Sequence, residues 1–255
     1  MPIPLHLRLL LPVLVLGLGL ASGHVQPVGL CLGALYSVWV LRGASHLPRW
    51  LWWSVSLLSS IALAAHLLPG FVAMPLWAAR QLSPDAAPYA LRLSWDKWLV
   101  GMTLLAWWLG QPAVATAHPG RAAWPIALLT LLAVPTLALG LDLLAWQPKW
   151  PADLGLWLAV NIGVAVLAEE LLFRAWLQPW LIARLGIRPG LLLTAGLFAA
   201  VHLPFSPLFA LIAGVAGLGY GLVFYCSGRL LAAVALHAAV NLLHLLLLSY
   251  PLRLV

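Results

Sequence analysis

The only two glutamates of this chain are adjacent and stand inside an apolar segment. Glu169 and Glu170 lie within the run from Leu154 to Leu177. Arg174 follows Glu170 at the i,i+4 spacing that favours an ion pair along a helix. Glu169 points about 100° away from that pair. No residue near it in sequence neutralises it, so we expect Glu169 to have no counter-ion and to be available to accept a proton.

Three more polar side chains interrupt apolar segments further along the chain: His202, His237 and Asn241. His237 and Asn241 are four residues apart, so both project from one face of a helix. A carboxylate and an imidazole that share a water can act as a general base, and with a third ligand they can bind a metal. A second imidazole and an amide can donate hydrogen bonds to an oxyanion. The residue types therefore favour hydrolysis in a pocket between three helices.

Other polar and small residues are expected to be structural. His66 and His244 are typical of histidines that pack and hydrogen-bond inside a bundle. We expect Cys31 and Cys226 to be two buried thiols with no disulfide and no metal. Four glycines of one apolar segment predict close helix packing rather than phosphate binding: Gly214, Gly217, Gly219 and Gly221. The chain has no Gly-Lys-Ser phosphate loop, no His-Glu-x-x-His and no Gly-x-Ser-x-Gly motif.

The composition places the elements that carry these residues in a membrane. Of 255 residues, 64% are hydrophobic and 7% charged, whereas soluble domains carry about 25% charged residues. The apolar runs are continuous rather than alternating, which excludes a transmembrane barrel. The sequence therefore predicts an all-α, polytopic transmembrane helical bundle.

Apolar runs and their breaks predict nine spans. They lie at about 8–22, 25–41, 50–68, 98–116, 124–144, 154–177, 189–203, 206–226 and 230–249. The first run could be a signal peptide, which would leave eight spans, although the second span follows so closely that a retained helix is favoured. Residues 69–96 are too polar to span, and their Trp77, Arg80 and Tyr89 suit an interfacial segment.

The charge distribution predicts topology rather than a nucleic-acid partner. The net charge is +7, but the basic residues stand singly between apolar runs instead of clustering on one face. The positive-inside rule places the N-terminus in the cytoplasm and the C-terminus outside, with cytoplasmic basic residues at Arg8, Arg42, Arg49, Arg121, Arg184, Arg188 and Arg229. Arg outnumbers Lys 11 to 2, which favours a bacterial source and hence the inner membrane.

Three motifs in order resemble a known family. Glu169-Glu170-Leu-Leu-Phe-Arg174 fits Glu-Glu-x-x-x-Arg, Phe198-Ala-Ala-Val-His202 fits Phe-x-x-x-His, and His237-Ala-Ala-Val-Asn241 fits His-x-x-x-Asn. This pattern resembles the CPBP intramembrane proteases, which include the CAAX prenyl endopeptidase and bacteriocin-processing relatives. The resemblance covers about residues 154–249.

The resemblance implies a role for each matching residue. It implies that Glu169 and His202 activate the attacking water, that His237 and Asn241 stabilise the oxyanion, and that Glu170, Arg174 and Phe198 support the site. Residues 151–255 would form the catalytic core, and residues 1–150 could carry substrate specificity. The substrate would be a membrane-anchored protein or peptide.

The sequence leaves metal dependence and two competing functions open. Glu169, His202 and His237 could hold zinc, but Asn241 is a poor zinc ligand and shares a face with His237, so a metal-free route is favoured. Counting 1.5 Å per residue puts His202 about 10 Å deeper than Glu169 and His237. A proton-coupled transporter or channel could use the same buried groups, and an immunity-type protein could keep the fold without activity.

Overall fold

The computed structural model describes residues 3–111 and 122–254. Within them the chain forms nine apolar helices and a two-stranded hairpin. The helices are α1 (Leu5–Ala21, broken at Leu9), α2 (Pro27–Arg42), α3 (Arg49–Ala64), α4 (Trp95–Trp108), α5 (Ala123–Gly140), α6 (Leu154–Leu185), α7 (Ile187–Ala200), α8 (Pro207–Ser227) and α9 (Leu230–Leu247). The predicted all-α membrane bundle is confirmed, with one helix for each predicted span. Three predicted features lie outside the described residues: the end of the fourth span (112–116), Arg121 and the C-terminal Val255.

Five of the described helices are long and apolar enough to cross a bilayer. They are α2 with the turn after it (Pro27–Ser45), α5, α6, α8 and α9. The other four helices have fewer than 18 residues each, whereas a full span needs roughly 20. The chain is therefore an integral membrane protein, built from long helices together with shorter ones.

Helix α6 carries the glutamates and is longer than predicted. It runs for 32 residues, to Leu185 instead of 177. Two stretches, Asn161–Val166 and Leu171–Leu177, are π-helical, with i→i+5 in place of i→i+4 hydrogen bonds. Gly186 then turns the chain at φ 87°, a conformation that glycine adopts at little cost. Helix α7 follows directly, so the expected loop between Arg184 and Arg188 is a one-residue turn.

The described residues form two compact units. The first contains residues 3–77, 92–111 and 163–172, and therefore α1 to α4 with a short part of α6. Its hairpin pairs β1 (Met74–Pro75) with β2 (Arg92–Leu93). No helix forms between residues 67 and 94, which confirms that this stretch does not span.

The second unit contains residues 78–91, 122–162 and 173–254. Its glycines bring helices together as predicted. A Cβ on Gly217 would lie 2.8 Å from the Phe198 ring, one on Gly214 would lie 3.1 Å from Ala199 Cβ, and one on Gly219 would collide with Thr130. These contacts let α8 pack closely against α5 and α7, so the predicted packing role of the glycines is confirmed.

The segment after α9 is tied into the second unit. Burial raises the pKa of the Tyr250 phenol well above its usual value, and the protonated hydroxyl accepts a hydrogen bond from Trp157 Nε1 at 3.1 Å. Further bonds reach the loops at 78–91 and 142–153: Ser249 Oγ to Asp85 Oδ2, Ala145 N to Ser249 Oγ, Tyr250 N to Ser83 Oγ, and an ion pair of Arg253 with Asp142. We call Ser249–Arg253 the tail clasp, because it fixes the end of α9.

The two cysteines are both free, which confirms that they form no disulfide. Cys226 is half-buried, whereas Cys31 is exposed on α2, so the expectation that both thiols are buried is wrong for Cys31. In an apolar membrane helix, a side chain exposed on the protein surface can still be covered by lipid.

Candidate active site

A cavity in the second unit gathers three of the predicted site residues. His202, His237 and Asn241 line it, and apolar side chains of α5 and α8 complete its walls. Its volume is about 80 Å³, and a single water needs roughly 10–15 Å³. The cavity can therefore hold several waters, or part of a substrate, beside two imidazoles and an amide.

Phe198 lies at the centre of these groups. Its ring centroid is 4.7 Å from that of His202 and 5.9 Å from that of His237. Both imidazoles therefore pack against one aromatic ring of the second unit. The expected depth of His202 rested on counting by helical rise, which does not apply to it, because α7 ends at Ala200 and His202 stands in the turn that follows.

The His202 imidazole is held in one tautomer. Its Nδ1 lies 2.7 Å from the carbonyl oxygen of Phe198. A carbonyl can only accept, so Nδ1 carries the proton, and in the neutral ring Nε2 has the free lone pair. Nε2 is thus the ring nitrogen of His202 that can accept a hydrogen bond.

His237 and Asn241 are each supported by a residue that the sequence did not single out. Tyr220 of α8 stacks on the His237 ring, with centroids 4.5 Å apart and planes 17° apart. Asn241 Nδ2 donates to Asn161 Oδ1 at 3.3 Å. That bond uses one of the two Asn241 amide hydrogens and leaves the other for a further acceptor.

Arg174 supports the same ring cluster. Its side chain is fully buried, and its Nη2 donates to the Gly217 carbonyl at 3.0 Å. The guanidinium carbon lies 4.4 Å from the Phe198 centroid and 5.2 Å from that of Tyr220, within the range of a cation–π contact. These contacts join the arginine of the first motif to the phenylalanine of the second. Glu170 is fully buried as well, and its pairing with Arg174 stays a prediction.

Glu169 lies in the first unit, where it has a cationic partner. Lys97 Nζ donates to Glu169 Oε1 at 2.8 Å. The expectation that Glu169 has no counter-ion is therefore wrong. That expectation considered only residues close to Glu169 in sequence, whereas Lys97 stands 72 positions earlier.

Residues 151–243 match the family described as type II CAAX prenyl endopeptidase Rce1-like. This segment is similar to that family, and we call residues 151–243 the CAAX endopeptidase segment. The CAAX endopeptidase segment holds all the predicted site residues, from Glu169 to Asn241, and it also holds Asn161 and Tyr220. Lys97 and the cavity wall of α5 lie outside it. Neither a curated protein nor a solved structure was found to match the chain.

Within the CAAX endopeptidase segment the residues do not fit a three-ligand metal site. Among the described residues, no group of three His, Cys, Asp and Glu side chains is arranged to hold a metal ion. At the cavity a third imidazole, His244, stands with His202, His237 and the Asn241 amide, but its Nε2 donates to the Ser249 carbonyl at 3.0 Å. A metal-free reaction stays a prediction.

Proposed function

We propose that this protein is an intramembrane endopeptidase that hydrolyses a peptide bond in a membrane-delivered protein or peptide precursor. The observation that carries the proposal is the cavity where His202, His237 and Asn241 meet, within a segment of the CAAX endopeptidase family. A bacterial source and the inner membrane belong to the same proposal. The substrate would then be a C-terminal sorting or anchor segment, or a bacteriocin-like precursor, rather than a prenylated protein.

In the proposed reaction, water is the nucleophile and no metal takes part. Glu169 accepts a proton from the water, and His202 Nε2 accepts a hydrogen bond from it and orients it. The oxygen attacks the scissile carbonyl and gives a tetrahedral oxyanion. The carbon–nitrogen bond then breaks, and the protonated Glu169 returns its proton to the leaving amine. The products are one carboxylic acid and one amine.

His237 and Asn241 are proposed to stabilise the oxyanion. Each can donate one N–H toward the cavity, and a buried donor acts strongly because little water screens it. The stacking of Tyr220 on His237 and the bond from Asn241 to Asn161 restrict both side chains before substrate arrives. Such preorganisation lowers the reorganisation needed during the reaction.

Cleavage of co-expressed candidate membrane precursors tests this function. We expect wild type to shorten its precursor, and Glu169→Gln to abolish cleavage while folding normally, because the amide is nearly isosteric but cannot act as a base. Peptide mapping of the products identifies the bond that is cut. Near-wild-type turnover by Glu169→Gln would refute the mechanism.

Glu170→Gln is the matched comparison, since it makes the same change at the adjacent position. Glu170 is fully buried, and we expect its replacement to lower yield and thermal stability rather than the chemistry of the folded fraction. A well-folded but inactive Glu170→Gln, together with an active Glu169→Gln, would reverse the two roles.

A further inference from the structure

We propose that Lys97 is a positioning residue for the hydrolysis, which holds the Glu169 carboxylate ionised and in a fixed orientation. This inference rests on the proposed function, because it concerns the carboxylate that is to act as the base. Lys97 lies outside the CAAX endopeptidase segment, so the three motifs do not contain it.

The ion pair is short and shielded from solvent. Lys97 Nζ and Glu169 Oε1 are 2.8 Å apart, and their side chains are only 22% and 17% exposed. In surroundings of low polarity, an ionised carboxylate without a nearby cation is costly. An ammonium at hydrogen-bond distance offsets that cost and strengthens the bond because both partners are charged.

The packing of two helices in the first unit places Lys97 beside Glu169. Lys97 is in the first turn of α4, and one turn later α4 contacts α6. A Cβ placed on Gly101 would lie at an ordinary contact distance, 3.5 Å, from Ala168, the residue that precedes Glu169. This packing of α4 on α6 brings the Lys97 side chain within reach of the carboxylate.

Asp96 fixes the start of α4 in the same region. Its side chain is 5% exposed. Its Oδ1 accepts from the Lys97 backbone N–H at 2.8 Å, and its Oδ2 lies 2.8 Å from His66 Nδ1. Asp96 thus acts on the main chain of Lys97 and on His66, while the ammonium of Lys97 points to Glu169. Asp96 and Glu169 therefore have different partners, and the Lys97 ammonium is left to Glu169.

Steady-state cleavage by Lys97 variants of the full-length protein tests the proposal. Lys97→Met keeps the length of the side chain and removes the charge, and Lys97→Arg keeps the charge. We expect Lys97→Met to lower kcat about 10- to 100-fold with little change in KM, as misplacing a reacting group does. We expect Lys97→Arg to retain most of kcat. Gly101→Ala is the control on the same helix, because its methyl fits at ordinary contact distance, and its kcat should match wild type.

Two results would overturn the proposal. One is a kcat for Lys97→Met within twofold of wild type. The other is an equal loss in Lys97→Met and Lys97→Arg, since the positive charge would then not be what matters. Should Lys97→Met fail to fold, Lys97→Gln replaces it, because it keeps a hydrogen-bond donor without the charge. Cleavage by wild type that Glu169→Gln abolishes would still support the proposed function.

Thermal unfolding of the detergent-solubilised protein tests the pair without any substrate. We expect Lys97→Met to unfold at a lower temperature than wild type, because Glu169 loses its cation. Adding Glu169→Gln to Lys97→Met should recover much of that loss. Strictly additive shifts of the two single changes would show no coupling and would overturn the proposal, whether or not a cleaved precursor has been found.

Discussion

His202 and Asn241 each use one polar atom for a supporting hydrogen bond and have a second one for the proposed chemistry. His202 gives Nδ1 to the Phe198 carbonyl and keeps Nε2, and Asn241 gives one amide hydrogen to Asn161 and keeps the other. An imidazole or amide held in this way has its orientation set before it meets the substrate. The supporting partner therefore matters for rate as well as for stability.

Asn241 and Asn161 should differ in how much they contribute to catalysis. If Asn241 donates to the oxyanion, Asn241→Ala should lower kcat by about 10²–10³ with KM little changed. Asn161→Ala should cause a smaller loss, because the donor itself stays and only its orientation is freed. Steady-state kinetics of both variants on one precursor measure the difference. Equal losses of kcat in the two variants would indicate that Asn161 contacts the substrate as well.

Elemental analysis beside activity separates the metal-free route from a zinc enzyme. We expect purified active protein to hold no stoichiometric metal and to resist chelators. If Glu169, His202 and His237 bound zinc, about one equivalent should co-purify and be lost in His202→Ala and His237→Ala. It should be retained in Asn241→Ala. Zinc content that rises and falls with activity across wild type and these three variants would contradict the metal-free mechanism.

At the scale of elements, the packing of α8 depends on positions where only glycine fits. Gly219 faces Thr130 of α5, whose hydroxyl donates to the Ile126 carbonyl of its own helix. Any added side chain must push α5 and α8 apart. Since α5 and α8 both line the cavity, a shift there alters the walls beside His237.

Gly219→Ala should destabilise the protein, whereas Gly196→Ala should not. The added methyl of Gly219→Ala collides with Thr130, and overpacking of this kind costs typically 1–3 kcal/mol. At Gly196 on α7 nothing lies within 4 Å of the added carbon, so alanine should be neutral or should stabilise by up to about 1 kcal/mol. Thermal unfolding in the same detergent compares the two, and a more stable Gly219→Ala would contradict the packing.

The sequence predicted those parts of the site that depend on regular helices. The i,i+4 spacing of His237 and Asn241 holds because both stand within α9, which is α-helical. The same counting fails at His202, which lies past the end of α7. The i,i+4 rule for an α-helix also applies only in part to Glu170 and Arg174, because Leu171–Leu177 is π-helical. Apolar periodicity alone does not distinguish an α turn from a π turn.

Lys97, Asn161 and Tyr220 could not be found from the sequence because their partners are distant in the chain. Lys97 is 72 positions from Glu169, and Asn161 is 80 positions from Asn241. No spacing rule relates residues so far apart. For Lys97, one sequence signal was available: a lysine in the first turn of an otherwise apolar helix, next to Asp96.

At the scale of the whole molecule, the topology sets the side of the membrane from which a substrate is cut. The positive-inside pattern predicts a cytoplasmic turn at Arg229, directly before α9, and an outside C-terminus. We expect a reporter fused after Arg229 to lie in the cytoplasm. We expect a reporter fused at the C-terminus to lie on the opposite side of the membrane. Protease accessibility in spheroplasts checks both fusions. Two tags on one side would show that α9 does not cross.

The tail clasp has a consequence for the timing of synthesis. The ribosome makes residues 249–253 after all the loops to which they bind, and it makes α9 after the other helices that line the cavity. A nascent chain that has reached only α8 thus lacks two of the three predicted site residues that line the cavity, and α9 gains its fixed end only when the tail clasp is translated. The order in which residues are joined therefore leaves the cavity incomplete until α9 and the tail clasp have been made.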